Sequence, residues 1–242
     1  MQNIIKSAGE ILFPRQCPVC RKVQAYGKKI CPACARSLSY VEEPVCFQCG
    51  KPISSPEQEL CFDCRIFPKS FHGGRSVFLY NNRIKPAMMD FKYKNRRILA
   101  DFFIGELVDR QGEVMSSWGA DMVVPVPVHR NKRKKRGYNQ AELLSKVLAD
   151  RLNLSHYPNL LIRTQDTLPQ KMFSPQARLN NLQKAFRFNP EYKHLCSHNA
   201  SAILIDDIYT TGATMEACSR LLLAAGLKKV YICSICIGVA RE

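Results

Sequence analysis

The chain has 242 residues, 46% of them hydrophobic and 23% charged, which suits a folded protein and excludes a disordered or fibrous one. Lysine and arginine outnumber aspartate and glutamate 36 to 20, a formal charge of +16. Such an excess points beyond ordinary surface solvation to a polyanionic partner, nucleic acid or a multiply phosphorylated ligand. No stretch approaches the roughly 20 apolar residues of a membrane span, and Lys6 and Glu10 interrupt the opening segment before it resembles a signal peptide. A soluble protein made for a reducing compartment is expected.

Ile4, Ile5, Ala8, Ile11 and Leu12 fall on one stripe of a helix over Ile4–Phe13, which Pro14 ends. It is expected to dock on the protein's own body, with a membrane surface as the alternative. Four C-x-x-C pairs follow: Cys17 and Cys20, Cys31 and Cys34, Cys46 and Cys49, Cys61 and Cys64. Such a knuckle turns two thiolates toward one metal, and two knuckles complete a closed tetrahedral Cys₄ site. The eight cysteines therefore predict two structural Zn²⁺ ions with no coordination position left for catalysis. A disulfide framework is the rival, and it lacks the secretion signal it would need. The even spacing leaves the pairing open. First with second and third with fourth is expected, because it closes two compact hairpins with Gly27 and Gly50 at their turns. So small and polar a segment would draw its folding energy from metal.

Phe67–Gly74 reads as a linker, dividing the chain into 1–70 and 71–242. Beyond it, Ser76–Tyr80 is strand-like, while Ile84–Tyr93 and Arg96–Arg110 read as helices. Phe91, Lys92 and Tyr93 form a basic-aromatic cluster that suits either a stacked nucleotide or a plain helix end. Asp121–Val128 is a buried strand that Pro125 and Pro127 convert into a loop, since proline cannot donate to a ladder. That loop carries Arg130, Lys132, Arg133, Lys134, Lys135 and Arg136. Three readings stand: a pyrophosphate loop, a nucleic-acid backbone contact, and a solvated or nuclear-targeting cluster. The charge exceeds what one pyrophosphate requires, which favours an extended polyanion. Asn139 and Glu142 then suggest a capping box opening a helix to about Leu152, with Leu143, Leu144, Val147 and Leu148 as its apolar face.

Leu160–Arg163 is a short strand, followed by Thr164–Asn189, in which Arg178 is expected to be a surface helix arginine, with a contact to a phosphate as the alternative. His194 and His198 lack further ligands and read as surface residues. Ser201–Thr214, SAILIDDIYTTGAT, begins as a strand buried on both faces over Ala202–Ile205. It passes through Asp206 and Asp207 into Thr210, Thr211, Gly212, Ala213 and Thr214, and then into a helix over Met215–Ala225 that Gly226 caps. The loop can aim several backbone N–H groups at one phosphate beside the positive helix N-terminus. The two carboxylates can accept from a ribose diol or help position Mg²⁺. The partner motif of a P-loop hydrolase is absent. Lys229–Val239 is a last strand, where Cys233 and Cys236 point to opposite faces and so read as buried thiols rather than a fifth knuckle. Cys196 and Cys218 suggest no role.

ILIDDIYTTGAT resembles the PRPP motif of type I phosphoribosyltransferases. That resemblance implies ribose hydroxyls on Asp206 and Asp207, and the 5′-phosphate on Thr210–Thr214, with Ala213 where Gly or Ser is usual. The ordered set of zinc cysteines, VPVPVHR…RGYNQAELL, LPQ…ARLNNLQKAF and ILIDDIYTTGAT resembles the ComF family of bacterial competence proteins across nearly the whole chain. The resemblance implies an α/β fold, a type I phosphoribosyltransferase-like parallel sheet flanked by helices, with an N-terminal double zinc ribbon module. It implies a cytoplasmic bacterial protein that handles incoming single-stranded DNA near competence-machinery proteins at the inner membrane, and a pocket for PRPP with Mg²⁺. An active phosphoribosyltransferase is the alternative. No base-reading segment is recognisable, and the chain stops too soon after its last strand for a C-terminal hood, so one would have to come from Phe78–Gly119 or Thr164–Cys196.

Overall fold

The computed structural model describes residues 16–24, 29–166, 182, 184–196 and 199–239. The helix expected over Ile4–Phe13, Gly27, Arg178 and His198 lie outside them. Five strands form one parallel sheet in the order β1 (Gly73–Leu79), β7 (Lys229–Ile237), β6 (Ser201–Tyr209), β2 (Met122–Pro125) and β3 (Ser155–His156). A separate antiparallel pair joins β4 (Leu161–Arg163) to β5 (Phe186–Phe188).

Strand alternation divides the core in two. Ala202 and Leu204 of β6 lie with Met122, Val124, Val230 and Ile232 on one face of the sheet. Ile203 and Ile205 lie with Val123, Cys233 and Ile235 on the other. The second face is covered by α3 (Lys85–Tyr93), α4 (Leu99–Ser117) and α6 (Gln140–Leu152), through Phe91, Phe103, Leu144 and Leu148. The first is covered by α7 (Ala213–Ala224), through Met215, Ala217 and Leu222, together with β4, β5 and the second cysteine module. Each fully buried Phe, Leu, Ile, Val or Met side chain among these contributes roughly 2 kcal/mol.

The two cysteine modules repeat one plan. A knuckle hairpin, closed by Gln16 against Val23 in the first and Val45 against Pro52 in the second, precedes a short helix. These helices are α1 (Pro32–Ser37) and α2 (Phe62–Ile66). In both hairpins the residue after the second cysteine, Arg21 or Gly50, takes a left-handed backbone, with φ of 63° and 76°. Gly50 is required, because a Cβ there would run into the Gly74 carbonyl of β1. The second pair of each module thus differs from the expected hairpin: Cys31 and Cys61 cap helices, and Cys34 and Cys64 lie inside them.

Four further differences have local causes. Phe67–Gly74 is no free linker, since Phe71 is buried in the core and Gly73 and Gly74 open β1 beside β7. Between the modules, Ser39–Val41 runs antiparallel along the outer edge of β1, with Val41 N–H donating to Val77 O and Leu79 N–H to Ser39 O, both at 2.9 Å. The basic segment expected as a loop is a helix, α5 (Arg130–Arg136). His129 Nδ1 accepts from Asn131 N–H at 3.3 Å to start it, and Gly137, at φ 80°, ends it. Asn139 caps α6 through Ala141 N–H at 3.1 Å, but Glu142 turns to Arg133 at 3.4 Å instead of closing a capping box.

Candidate functional site

The winding of the sheet reverses between β2 and β6, since β3 lies outside β2 and β7 outside β6. In parallel sheets the crevice at the carboxyl end of such a pair is where ligands bind. Here prolines open it. β2 pairs with β6 only as far as Pro125 opposite Ile205, with one last bond from Val126 N–H to Ile205 O at 2.9 Å. Beyond that point β6 continues with β7 alone, to Tyr209 opposite Ile237. Asp206 and Asp207 stand in the stretch that β2 has left. The strand is therefore longer than Ala202–Ile205, and the two acids are part of it.

Strand alternation sends the two carboxylates to different surroundings. Asp207 meets Lys92, the last basic residue of α3, at 3.0 Å between Oδ1 and Nζ, with both side chains largely buried. Asp206 lies on the α7 side, near Cys218 and Arg163 of β4, and its Oδ1 accepts the Asp207 N–H at 2.8 Å. Burial, and then the charge of Asp207, hold the Asp206 carboxyl up to about 7, against the pull of that hydrogen bond, Lys92 and Arg163. Burial works against the charge of Lys92, but Asp207 and Asp206 outweigh it and raise its affinity for the proton.

Asp206 thus makes a pH-dependent contribution to stability. An aspartate titrates near ~3.9 in an unfolded chain, so the folded protein binds this proton more tightly than the unfolded one does. The contribution is full below the unfolded value and is lost as pH rises toward about 7. Asp206→Asn is expected to melt above the wild type at pH 8, with the gap closing as the pH falls to 5. A constant gap over that range would refute the assignment.

Beyond the acids, Thr210 and Thr211 are exposed, and Gly212 turns the chain at φ 75° into α7. A Cβ on Gly212 would collide with the Tyr209 hydroxyl, so any other residue at this corner must push that hydroxyl aside. No side chain caps α7, which leaves its first-turn N–H groups facing the crevice beside Ala213 and Thr214.

α5 rises from the β2 side of the same crevice. Three of its six charges are engaged: Lys132 with Asp166 at 3.7 Å, Arg133 with Glu142, and Arg136 with Gln140 at 2.9 Å while lying over the Tyr93 ring. Arg130, Lys134 and Lys135 have no ion pair among the described residues. Arg136 is close enough to Lys92 to oppose its charge, and Arg97 covers the Tyr138 ring at 4.9 Å. The acidic pair, the anion loop and the basic segment, read separately from the sequence, thus meet at one end of the sheet.

The cysteines form two quartets, Cys17, Cys20, Cys31, Cys34 and Cys46, Cys49, Cys61, Cys64, with the sulfurs of each within 4.8 Å of one another. The pairing is sequential, as expected. Cys20 and Cys31 are 3.7 Å apart and Cys49 and Cys61 3.6 Å, close to the edge of about 3.8 Å that a tetrahedron of 2.3 Å Zn–S bonds requires. All eight are free thiols. The residues fit two structural zinc ions. The first quartet is tied to the body by Arg21, which grips Asp90 of α3 beside Lys94 and Arg96, and by Lys29 on Asp109 at 2.8 Å. Burial alone would raise Asp90, but the hydrogen bonds from these three cations hold it below its usual value.

The double zinc ribbon domain family matches residues 8–65. The chain is 27% identical to the DNA utilization protein YhgH of Escherichia coli K12 over 91% of its own length and 89% of that protein. It is 32% identical to the competence protein ComFC of Bacillus subtilis over 63% of this chain and 58% of that one. It is also 31% identical to competence protein F of Haemophilus influenzae, over 46% of this chain and about half (48%) of that protein. The chain is thus similar to competence and DNA utilization proteins. Two solved adenine phosphoribosyltransferases, one from Thermoanaerobacter pseudethanolicus, match at 17% and 14% identity with TM-scores of 0.34 and 0.35. They cover 55% and 60% of this chain, and 69% and 83% of their own.

Two residues of this site carry no local sequence signal. Lys92 was one member of an ambiguous basic-aromatic cluster, and only the packing of α3 brings it to Asp207. Arg163 ended an unremarkable strand, and its position beside Asp206 follows from the pairing of β4 with β5. Within the described residues, no helix is long and apolar enough to cross a membrane.

Proposed function

We propose that the protein handles DNA during uptake, binding single-stranded DNA through α5 and keeping a pocket for PRPP or a related phosphosugar on Asp206, Asp207 and Thr210–Thr214. The names of the relatives, competence and DNA utilization proteins, support the first part. The observation that carries the reading is the shared crevice: an anion loop, two carboxylates and a basic helix at one switch point. In the pocket the phosphate lies on the backbone of residues 210–214, and the acids accept from the ribose hydroxyls. Asp206 and Asp207 would help position Mg²⁺, which would supply positive charge for the ligand's phosphates, and Lys92 balances the charge of Asp207. The protein works in the cytoplasm, beside competence-machinery proteins at the inner membrane.

Single-strand binding should be salt-dependent and weakly selective for sequence. Each phosphate neutralised contributes about 0.7 to the slope of log K against log salt, so Arg130→Ala/Lys134→Ala/Lys135→Ala should flatten that slope by about 2. Fluorescence anisotropy with a labelled oligonucleotide measures it. An unchanged slope in a folded variant removes α5 from the interface.

One feature favours a second reading, an active phosphoribosyltransferase with an unidentified acceptor. The β4–β5 pair stands over the α7 side of the crevice and brings Arg163 toward Asp206, where a hood over a base would lie. Release of pyrophosphate from PRPP with a panel of bases would establish that reading, and its absence across the panel would leave the binding role.

A further inference from the structure

Tyr209, the last residue of β6, belongs to neither the acidic pair nor the anion loop, yet it is only 3% exposed. On one side its hydroxyl fills the place of a Cβ on Gly212, so the ring and the loop corner are in direct contact. On the other side lies the second cysteine quartet. The hydroxyl lies beside the Cys49 thiol, and the ring shares one core with Cys46, Cys49, Cys61 and Cys64. Lys51 of the same module reaches over the ring, 6.0 Å from its centre, and is anchored by Asp63 at 2.5 Å. Among the described residues the first quartet has no such link, and it meets the body through Arg21 and Lys29 on the far face of the sheet.

We infer that Tyr209 is a positioning residue that couples the second Cys₄ site to the anion loop, so that the loop keeps its shape only while that site holds its metal. The inference rests on the phosphosugar reading for its functional meaning, but the contact itself does not. With metal bound, Cys49 Sγ is fixed, and a partner to a metal-bound sulfur is in turn oriented by it. The oriented hydroxyl then walls the Gly212 corner. Once the four sulfurs are released, the hydroxyl loses its fixed partner and the corner loses its wall. Coupling of this kind is reciprocal: what disturbs the loop must also loosen the metal, and an anion seated in the loop must retain it.

The test uses the full chain in a Cys20→Ser background, which disables the exposed first site, so that zinc release to a coloured chelator reports on the second. Tyr209→Phe removes the hydroxyl, and Gly212→Ala displaces it from the loop side. Each should speed zinc release about tenfold, the effect of losing one hydrogen bond to a charged group. Hydrogen exchange at residues 210–214 should quicken in Tyr209→Phe while the amides of β2 and β7 stay protected. Release rates in both variants equal to the parent's would overturn the coupling, as would faster exchange spread evenly over the sheet. If Tyr209→Phe fails to fold, Gly212→Ala decides by zinc release alone. Added PRPP with Mg²⁺ should slow release in the parent and not in Tyr209→Phe. A parent that does not bind PRPP at all removes the proposed pocket, while the release rates of the variants still decide the coupling.

Discussion

Cys46→Ser and Cys61→Ser are expected to yield no stably folded protein, whereas Cys20→Ser is expected to fold. The chemistry of the two quartets is the same and their surroundings are not. Cys46, Cys49, Cys61 and Cys64 are each at most 1% exposed and pack with Phe71, Leu204, Met215 and Leu222 in the core beneath α7. A structural zinc ion supplies about 10–16 kcal/mol of folding free energy, as much as or more than the 5–15 kcal/mol or so by which a typical domain is stable. Losing the second ion also exposes that face of the sheet. The first quartet includes the exposed Cys20 and is attached by ion pairs, so its loss should cost a local module. Zinc content by native mass spectrometry and melting by circular dichroism check both. A Cys46→Ser protein with one zinc and a melting point near the wild type's would contradict the description of that core.

Asp206→Asn/Asp207→Asn is expected to weaken Mg²⁺-PRPP binding at least a hundredfold. Hydrogen bonds to a charged group are worth about 1.5–3 kcal/mol each, and above about pH 7, where Asp206 is ionised, the double change removes two charged acceptors at the mouth of the crevice. Folding should survive, because asparagine keeps the shape, and at position 206 it relieves a charge that burial disfavours. Calorimetric titration of both proteins is the check. Equal affinities would show that the acids do not hold the ribose, and no heat from either would leave the loop without a phosphosugar. A residue that weakens the empty fold while serving a ligand is the usual signature of a working site.

The sequence made some of these features legible and hid others. Knuckle spacing foretells metal because ligand geometry is local, and the run Ala202–Ile205 foretells a covered parallel strand because both faces demand apolar residues. Helix α5 was missed because a dense positive run reads as solvated loop, while its two ends, His129 and Gly137, carry the capping information. The extension of β6 through Asp206 and Asp207 could not be read, since it depends on β7 continuing after β2 has stopped. Lys92 and Arg163 reach the acids only through tertiary packing, which no local pattern records. Tyr209 carries no local signal in the sequence, and its meaning lies in what touches it on two sides.

The short run Ser39–Val41 along β1 bears on how the protein would fail. A parallel sheet's outer strand offers a row of unpaired amides and carbonyls that another chain can join, a common start of aggregation. At the opposite edge β3 has only two residues, too few to template a neighbour. At the β1 edge the protection is borrowed, because Ser39–Val41 is held there by the modules on either side of it. A chain made during zinc scarcity would keep its long apolar strands and lose that cover, and its copies would adhere edge to edge. Zinc supply during synthesis should therefore govern how much protein escapes inclusion bodies, apart from any effect on the crevice.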